Sequence, residues 1–342
     1  YAEGEPAAFQ YPPSEGLRGL REEIAARRNV DVERVIVTNG AGEANYLAMA
    51  GALERADDAA GGGGGAEPDA ATGGNEFLLT DPVYPYYPGK TELLGATQRT
   101  VAAETDGSLD PDAVRDAAAA AGDDLAAIVV NTPNNPTGAV YDLDALREAV
   151  AVAESVDALV MVDEVYDHFD LTGGFESALT LESDRLIATS GFSKSMAITG
   201  LRVGYGVFPE EHVGDAKTRH MLVNVTGARP SQYAVHHALA ETPSDYYAEA
   251  RDLLADRVDA FTDALDAAGA EYTRPEGAFY VLARFDDFPG TMANVKRLVD
   301  EAGVAGMPGD AFGTARDEWI RFALVTPRTA EAAERLADYF GD

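Results

Sequence analysis

The sequence predicts an α/β protein, with a larger domain whose mostly parallel sheet is flanked by helices and a smaller α+β domain. Three observations predict it. The runs Phe77–Thr80, Leu125–Val130 and Val160–Val162 are apolar throughout rather than alternating, as strands buried on both faces of a parallel sheet are. Helical patterns, such as Leu143 to Val156, separate them, which gives the strand–helix–strand order of α/β folds. Late in the chain, a long amphipathic stretch from Ser244 to Ala268 precedes the short segments Gly277–Ala283, Met307–Gly313 and Trp319–Leu324. These read as a small antiparallel layer closed by a helix from Ala330 to Tyr339. Residues 12–240 then make the larger domain, and 1–11 with 241–342 the smaller one.

Composition narrows the function. At 342 residues and 46% hydrophobic content the chain can bury two cores. It has no cysteine, which excludes disulfides, thiolate metal sites and cysteine nucleophiles. No apolar run reaches membrane-spanning length and no signal-peptide pattern is present, so the expectation is a cytoplasmic protein. The net charge is −33, from 59 acidic against 26 basic residues, and it argues against nucleic acid or an anionic membrane as partner. We read the acidity as a halophile-like adaptation of the surface to high salt, where counter-ions screen self-repulsion. The apolar strands are too many for an acid-rich disordered chain.

In chain order, residues Tyr1 to Gln10 show no periodicity. Tyr11-Pro-Pro-Ser-Glu-Gly16 leads into a helix over Leu17–Arg28 with Leu17, Leu20 and Ile24 on one face. Val35–Thr38 is a strand that turns at Gly40 into a helix running to about Leu53. The free N–H groups at that helix start, on Ala41 and Gly42, can hold an anion, although a strand–glycine–helix unit is also an ordinary turn. Residues 59–74, with five consecutive glycines at Gly61–Gly65, read as a low-complexity surface insertion. The strand Phe77–Thr80 runs into Asp81-Pro82-Val83-Tyr84, and Ala113–Ala121 is a solvated helix. Leu125–Val130 runs into Asn131-Thr-Pro-Asn-Asn135-Pro136-Thr-Gly138, and Val160–Val162 ends in Asp163-Glu164-Val-Tyr166.

The stretch Ser190-Gly-Phe-Ser193-Lys194 carries one of only four lysines, placed between the strands Arg185–Thr189 and Arg202–Phe208. A buried ammonium is costly unless it is paired or chemically converted, and a Schiff base with an aldehyde cofactor is such a conversion. Read alone, a lysine beside serines is as readily a solvated loop charge. Ligands gather at the carboxyl ends of strands in open parallel sheets, so all four segments can face one pocket.

The patterns P-x-Y, N-x3-N-P-T-G, D-E-x-Y and S-K-x7-R, in this order and spacing, resemble the fold type I pyridoxal-phosphate enzymes, specifically the class I/II aminotransferases. The resemblance covers the chain from Tyr11 onward and implies a seven-stranded-type sheet, pyridoxal 5'-phosphate as cofactor, and a homodimer with its sites at the interface. It implies that Lys194 holds the cofactor aldehyde as a Schiff base and moves the proton. Asp163 would pair with the pyridine nitrogen, and Asn135 and Tyr166 would bond the phenolic oxygen. Tyr84 would stack on the ring, with Tyr86 and Tyr87 as equal candidates if Tyr84 were only a core aromatic. Ala41, Gly42, Arg202 and Ser193 or Ser190 would hold the phosphate, with Tyr11 reaching the phosphate of the neighbouring subunit. Arg321 and Asn135 would bind the substrate, Arg321 at its α-carboxylate. Many relatives carry a serine where Gly191 stands, and some aspartate-specific members a lysine where Gly42 stands.

The activity implied is transfer of an amino group between an L-amino acid and a 2-oxo acid. A pyridoxal-phosphate lyase and a catalytically silent cofactor-binding module are the rivals. Glu164 reads as a supporting or surface residue and His168 as structural. Arg229 could read a distal substrate carboxylate, and Tyr280, Met307 and Phe312 could shape a neutral pocket. Cis peptides are expected at Asp81-Pro82 and Asn135-Pro136.

Overall fold

The computed structural model describes residues 10–59, 74–243 and 245–341. Residues 1–9, nearly all of the glycine-rich insertion and Ser244 lie outside them.

Seven strands make the larger sheet: β1 (Val35–Thr38), β2 (Glu76–Asp81), β3 (Thr97–Ala102), β4 (Leu125–Asn131), β5 (Leu159–Asp163), β6 (Leu186–Gly191) and β7 (Gly204–Val207), in the order β1-β7-β6-β5-β4-β2-β3. Strands β2 to β6 are mutually parallel, and β7 runs antiparallel to both of its neighbours. The uninterrupted apolar runs are explained by burial on two faces. Leu78, Ile128, Val130, Val160 and Val162 pack into one cluster, while Phe77, Leu79, Val129, Leu159 and Met161 pack into another. The helices that cover these faces are α1 (Arg18–Arg28), α2 (Ala41–Ala59), α3 (Tyr86–Leu93), α4 (Pro111–Ala121), α5 (Leu143–Ser155), α6 (Phe192–Ser195, a single turn), α7 (Glu210–Asn224) and α8 (Arg229–Glu241). Local chemistry sets their starts. Asp110 and Asp142 accept backbone amides at the N-termini of α4 and α5, and Pro111 occupies the first turn of α4.

The smaller sheet is antiparallel, in the order β10 (Met307–Pro308), β11 (Ile320–Ala323), β9 (Tyr280–Arg284) and β8 (Glu271–Thr273). It packs against α9 (Tyr246–Ala267), α10 (Met292–Ala302) and α11 (Thr329–Phe340) through Leu254, Val258, Phe261, Leu298 and Leu336. The same cluster takes in Val165 and Tyr166, just beyond β5, so the apolar contact continues from one sheet region to the other. None of the described helices is long and apolar enough to cross a membrane.

One backbone expectation is corrected. Among the described residues the cis peptides are Asp81-Pro82 and Thr132-Pro133, and Asn135-Pro136 is not cis. The chain reverses directly after β4, where Asn131 Oδ1 accepts the Asn135 amide (2.9 Å), and the next turn closes by Gly138 N–H donating to Asn134 O (2.9 Å).

Candidate active site

Parallel register brings the site together. Asn131, Asp163 and Thr189 are direct neighbours across β4, β5 and β6, so three polar strand ends stand side by side at one edge of an apolar sheet. From that edge the chain continues into the turns that carry Asn135, Tyr166 and Lys194.

Asp163 is deeply buried, only 3% exposed. Its Oδ2 accepts Asn45 Nδ2 (2.6 Å) and Tyr87 Oη (2.7 Å), and its Oδ1 accepts the Val165 amide (3.0 Å). Thr189 Oγ1 donates to Asn45 Oδ1 (2.5 Å), which turns the Asn45 amide nitrogen toward the carboxylate. Burial pushes Asp163 above the usual carboxylate range, against the pull of these donors and of Lys90. Among the described residues no cation forms an ion pair with it, so a cationic or N–H partner would favour the ionised form of this hydrogen-bonded carboxyl group.

Lys194 lies in the single turn α6 with its Nζ 5.9 Å from the Phe279 ring centroid and no carboxylate in ion-pair reach among the described residues. Burial, then Arg321 and Arg202, pull its amine below the ordinary lysine range. An amine so placed is more readily neutral, hence more nucleophilic toward an aldehyde. Arg202 has a left-handed backbone (φ 52°) and donates to Ser193 Oγ (3.2 Å), Thr199 O (3.1 Å) and Asn39 O (3.3 Å). Its guanidinium lies where a Cβ on Gly40 would stand, 2.3 Å away, so arginine and the start of α2 form one cup. Ser190, the alternative hydroxyl, is turned inward and donates to Glu164 O (3.3 Å), which leaves Ser193 beside Arg202. Ala41 and Gly42 open α2 at this cup, and the space where a Gly42 side chain would go is empty.

Arg321, on β11, donates from Nη1 to Asn135 Oδ1 (2.9 Å), and Asn135 Nδ2 donates to Tyr166 Oη (3.3 Å). The guanidinium carbon lies 4.3 Å from the Tyr280 ring centroid and 4.9 Å from that of Phe312, and its buried Nε has no partner. Tyr166 and Tyr280 share a hydrogen bond of 3.1 Å between hydroxyls. Tyr84 is half-buried, with its ring 4.7 Å from that of Tyr86. Burial first, then Tyr86, push its phenol up to about 12.

Sequence reasoning missed Asn45, Thr189 and the bond from Tyr87 to Asp163. The available signal was a lone asparagine on the buried face of α2, among Ala44, Leu47 and Ala48. Glu164 proves to be interior: it pairs with Arg28 (3.1 Å) and accepts Ser177 Oγ (2.8 Å) and the Ala178 amide (2.8 Å). His168 stacks on Tyr247 at 3.9 Å. Tyr11 is 81% exposed, and its carbonyl accepts Arg229 Nη2 (3.0 Å), which ties that arginine to the N-terminal segment.

The family model described as "Aminotransferase class I and II" matches residues 3–340. The chain belongs to that family. It is 30% identical to an aspartate aminotransferase of Thermotoga maritima, covering 96% of this chain and 83% of the relative. It is 29% identical to an aspartate/prephenate aminotransferase of Thermus thermophilus, over 97% of this chain and 83% of that one. Among solved structures, an aspartate aminotransferase from Thermus thermophilus with maleate superposes with a TM-score of 0.84 at 28% identity, covering 97% of this chain and 84% of that one. An aromatic aminotransferase from Pyrococcus horikoshii gives 0.84 at 26% identity, over 97% and 88%. This aminotransferase therefore shares its seven-stranded α/β architecture with them.

Proposed function

We propose that this aminotransferase uses pyridoxal 5'-phosphate held by Lys194 to move an amino group from an L-amino acid to a 2-oxo acid. The observation that carries the reading is that two groups without ionic partners among the described residues, the Asp163 carboxyl at the end of β5 and the Lys194 amine just after β6, stand beyond the same ends of adjacent parallel strands. The residues fit the cofactor at each end: an amine for the aldehyde, a carboxylate for the pyridine nitrogen, and a cup of helix-start amides and Arg202 for the phosphate. When bound, the cofactor supplies an electron sink for the carbanion left by loss of the Cα proton.

The chain's own part follows from this. Asp163 would hold the pyridine nitrogen, and its charge would keep that nitrogen protonated. Asn135 and Tyr166 offer donors to the phenolic oxygen, and Tyr84 a flat face. Lys194 Nζ would be the base that removes the Cα proton and the acid that delivers a proton to the cofactor's aldehyde carbon, on the other side of the amino nitrogen. Arg321 binds the substrate α-carboxylate and sets the angle of the breaking bond. Its unpartnered Nε and its packing between Tyr280 and Phe312 leave it oriented before substrate arrives.

We also propose a homodimer in which Tyr11 reaches the partner's phosphate. Supporting this, Met221, Leu222 and Val223 at the end of α7, Val225 just after it and Tyr233 on α8 are exposed apolar side chains, and Arg229, beside Tyr233, donates to the Tyr11 carbonyl. The halophile-like surface and cytoplasmic location rest on charge and on the described helices alone.

The test is to load the purified protein with pyridoxal phosphate in molar salt and add single amino acids. Disappearance of the yellow band with release of the matching 2-oxo acid supports the reading; ammonia or carbon dioxide in its place contradicts it. Two variants probe its parts. Arg321→Leu removes a charge-assisted, bidentate carboxylate contact, and kcat/KM is expected to fall about 10–100-fold, mainly through KM. Gly204→Ala would place a methyl 2.3 Å from the Ala41 nitrogen, against the phosphate cup. Cofactor affinity, followed by absorbance titration, is expected to fall about tenfold with the fold retained.

A further inference from the structure

Lys90 is a second lysine near the site, and neither the motifs nor the function proposed above uses it. It lies one turn along α3 from Tyr86 and Tyr87. Its Nζ is 5.5 Å from the Tyr86 ring centroid and 5.8 Å from that of Tyr87, and it donates to Tyr86 O (3.4 Å). In a chain with 59 acidic residues, no carboxylate among the described residues pairs with this ammonium. Two aromatic faces take the place of a counter-ion. The Tyr87 hydroxyl in turn has Asp163 Oδ2 as its acceptor at 2.7 Å.

We propose that Lys90 is a positioning residue that acts through Tyr87, its ammonium over the phenol face strengthening the Tyr87 hydrogen bond that keeps Asp163 ionised and aimed. A cation over a phenol draws electron density from the ring and makes the O–H a better donor. The donor acts on a carboxylate whose burial alone favours the protonated form, and Lys90 acts on it in the opposite direction. Asn45 supports the same oxygen but is neutral and fixed by Thr189, so the adjustable charge is on the Tyr87 side. The other titratable groups around Asp163 and Tyr87 are Tyr84, Tyr166 and, across the β5 turn, Glu164 with Arg28. Glu164 is already paired with Arg28, and the tyrosines are neutral near pH 7, so Lys90 is the free cation on this side among the described residues.

The proposal rests on the assignment of Asp163 as partner of the pyridine nitrogen, and two readouts separate it from that assignment. In the cofactor-free protein, the carbon-13 shift of the Asp163 carboxyl is followed against pH. Lys90→Met is expected to raise its midpoint by about half a unit, and Lys90→Arg to restore it. In the cofactor-loaded protein, the midpoint of the yellow band's pH titration is expected to move in the same direction. In a Tyr87→Phe background, Lys90→Met should move both midpoints clearly less, because only the direct charge effect of Lys90 on Asp163 remains. Unmoved midpoints in Lys90→Met, or equal shifts with and without the Tyr87 hydroxyl, would overturn the relay. A parent protein with no yellow band at all would instead defeat the cofactor reading, while the carboxyl titration would still report on the Lys90–Tyr87–Asp163 contact.

Discussion

Replacing Lys194 with alanine is expected to lower the rate of 2-oxo acid formation by about 10⁴-fold, since the group that both binds the cofactor and carries the proton is removed. The fold should survive. Lys194 makes no ion pair among the described residues and sits in a single turn whose core contacts come from Phe192 and Ser195. Circular dichroism and thermal melting should therefore match the parent, which distinguishes loss of chemistry from loss of structure. The same amine gives the loading reaction its pH dependence. Its pKa is depressed below 10.5, so the proton is released as pH rises through a value lower than that of an ordinary lysine. Cofactor loading should thus accelerate with pH and level off below 10.5. A plateau reached only above that value, or full activity in the alanine variant, would contradict the assignment.

Asp163→Asn is the second large effect, at about 10³-fold in kcat. An asparagine at this position cannot hold a proton on the pyridine nitrogen by charge. It also cannot satisfy its neighbours: Asn45, Tyr87 and the Val165 amide all donate to the carboxylate, and an amide has one acceptor oxygen for two acceptor positions. Whichever way it turns, an NH₂ faces a donor, so a stability loss of about 1–3 kcal/mol accompanies the loss of rate. Chemical denaturation and steady-state kinetics measure the two losses separately. Lowered stability with unchanged kcat would show that Asp163 is only a buried structural carboxylate.

The larger sheet was legible because burial on both faces writes itself as unbroken apolar runs, and the site because its residues stand where those runs stop. Asn135, Asp163, Tyr166 and Lys194 are all within a few positions of a strand end. Asn45, Thr189 and Tyr87 were not legible as a set. Their common feature is convergence on one carboxylate oxygen from a helix, a neighbouring strand and another helix, and no linear spacing encodes that. The misplaced cis peptide has a similar origin. Two X-Pro bonds, Thr132-Pro133 and Asn135-Pro136, lie three residues apart after β4, and the first of them is the cis one. Of the two readings of Glu164, supporting or surface, the sequence could not choose because its partner, Arg28, is distant in the chain.

The central claim is that Lys194 carries the cofactor, and the chain's four lysines make it open to a direct measurement. The loaded protein is reduced with borohydride, digested, and its peptides are mapped by mass spectrometry. The account predicts a phosphopyridoxyl label on the peptide containing Ser193-Lys194-Ser195. A label confined to Lys90, Lys217 or Lys296, or no stable label on any peptide, would contradict it.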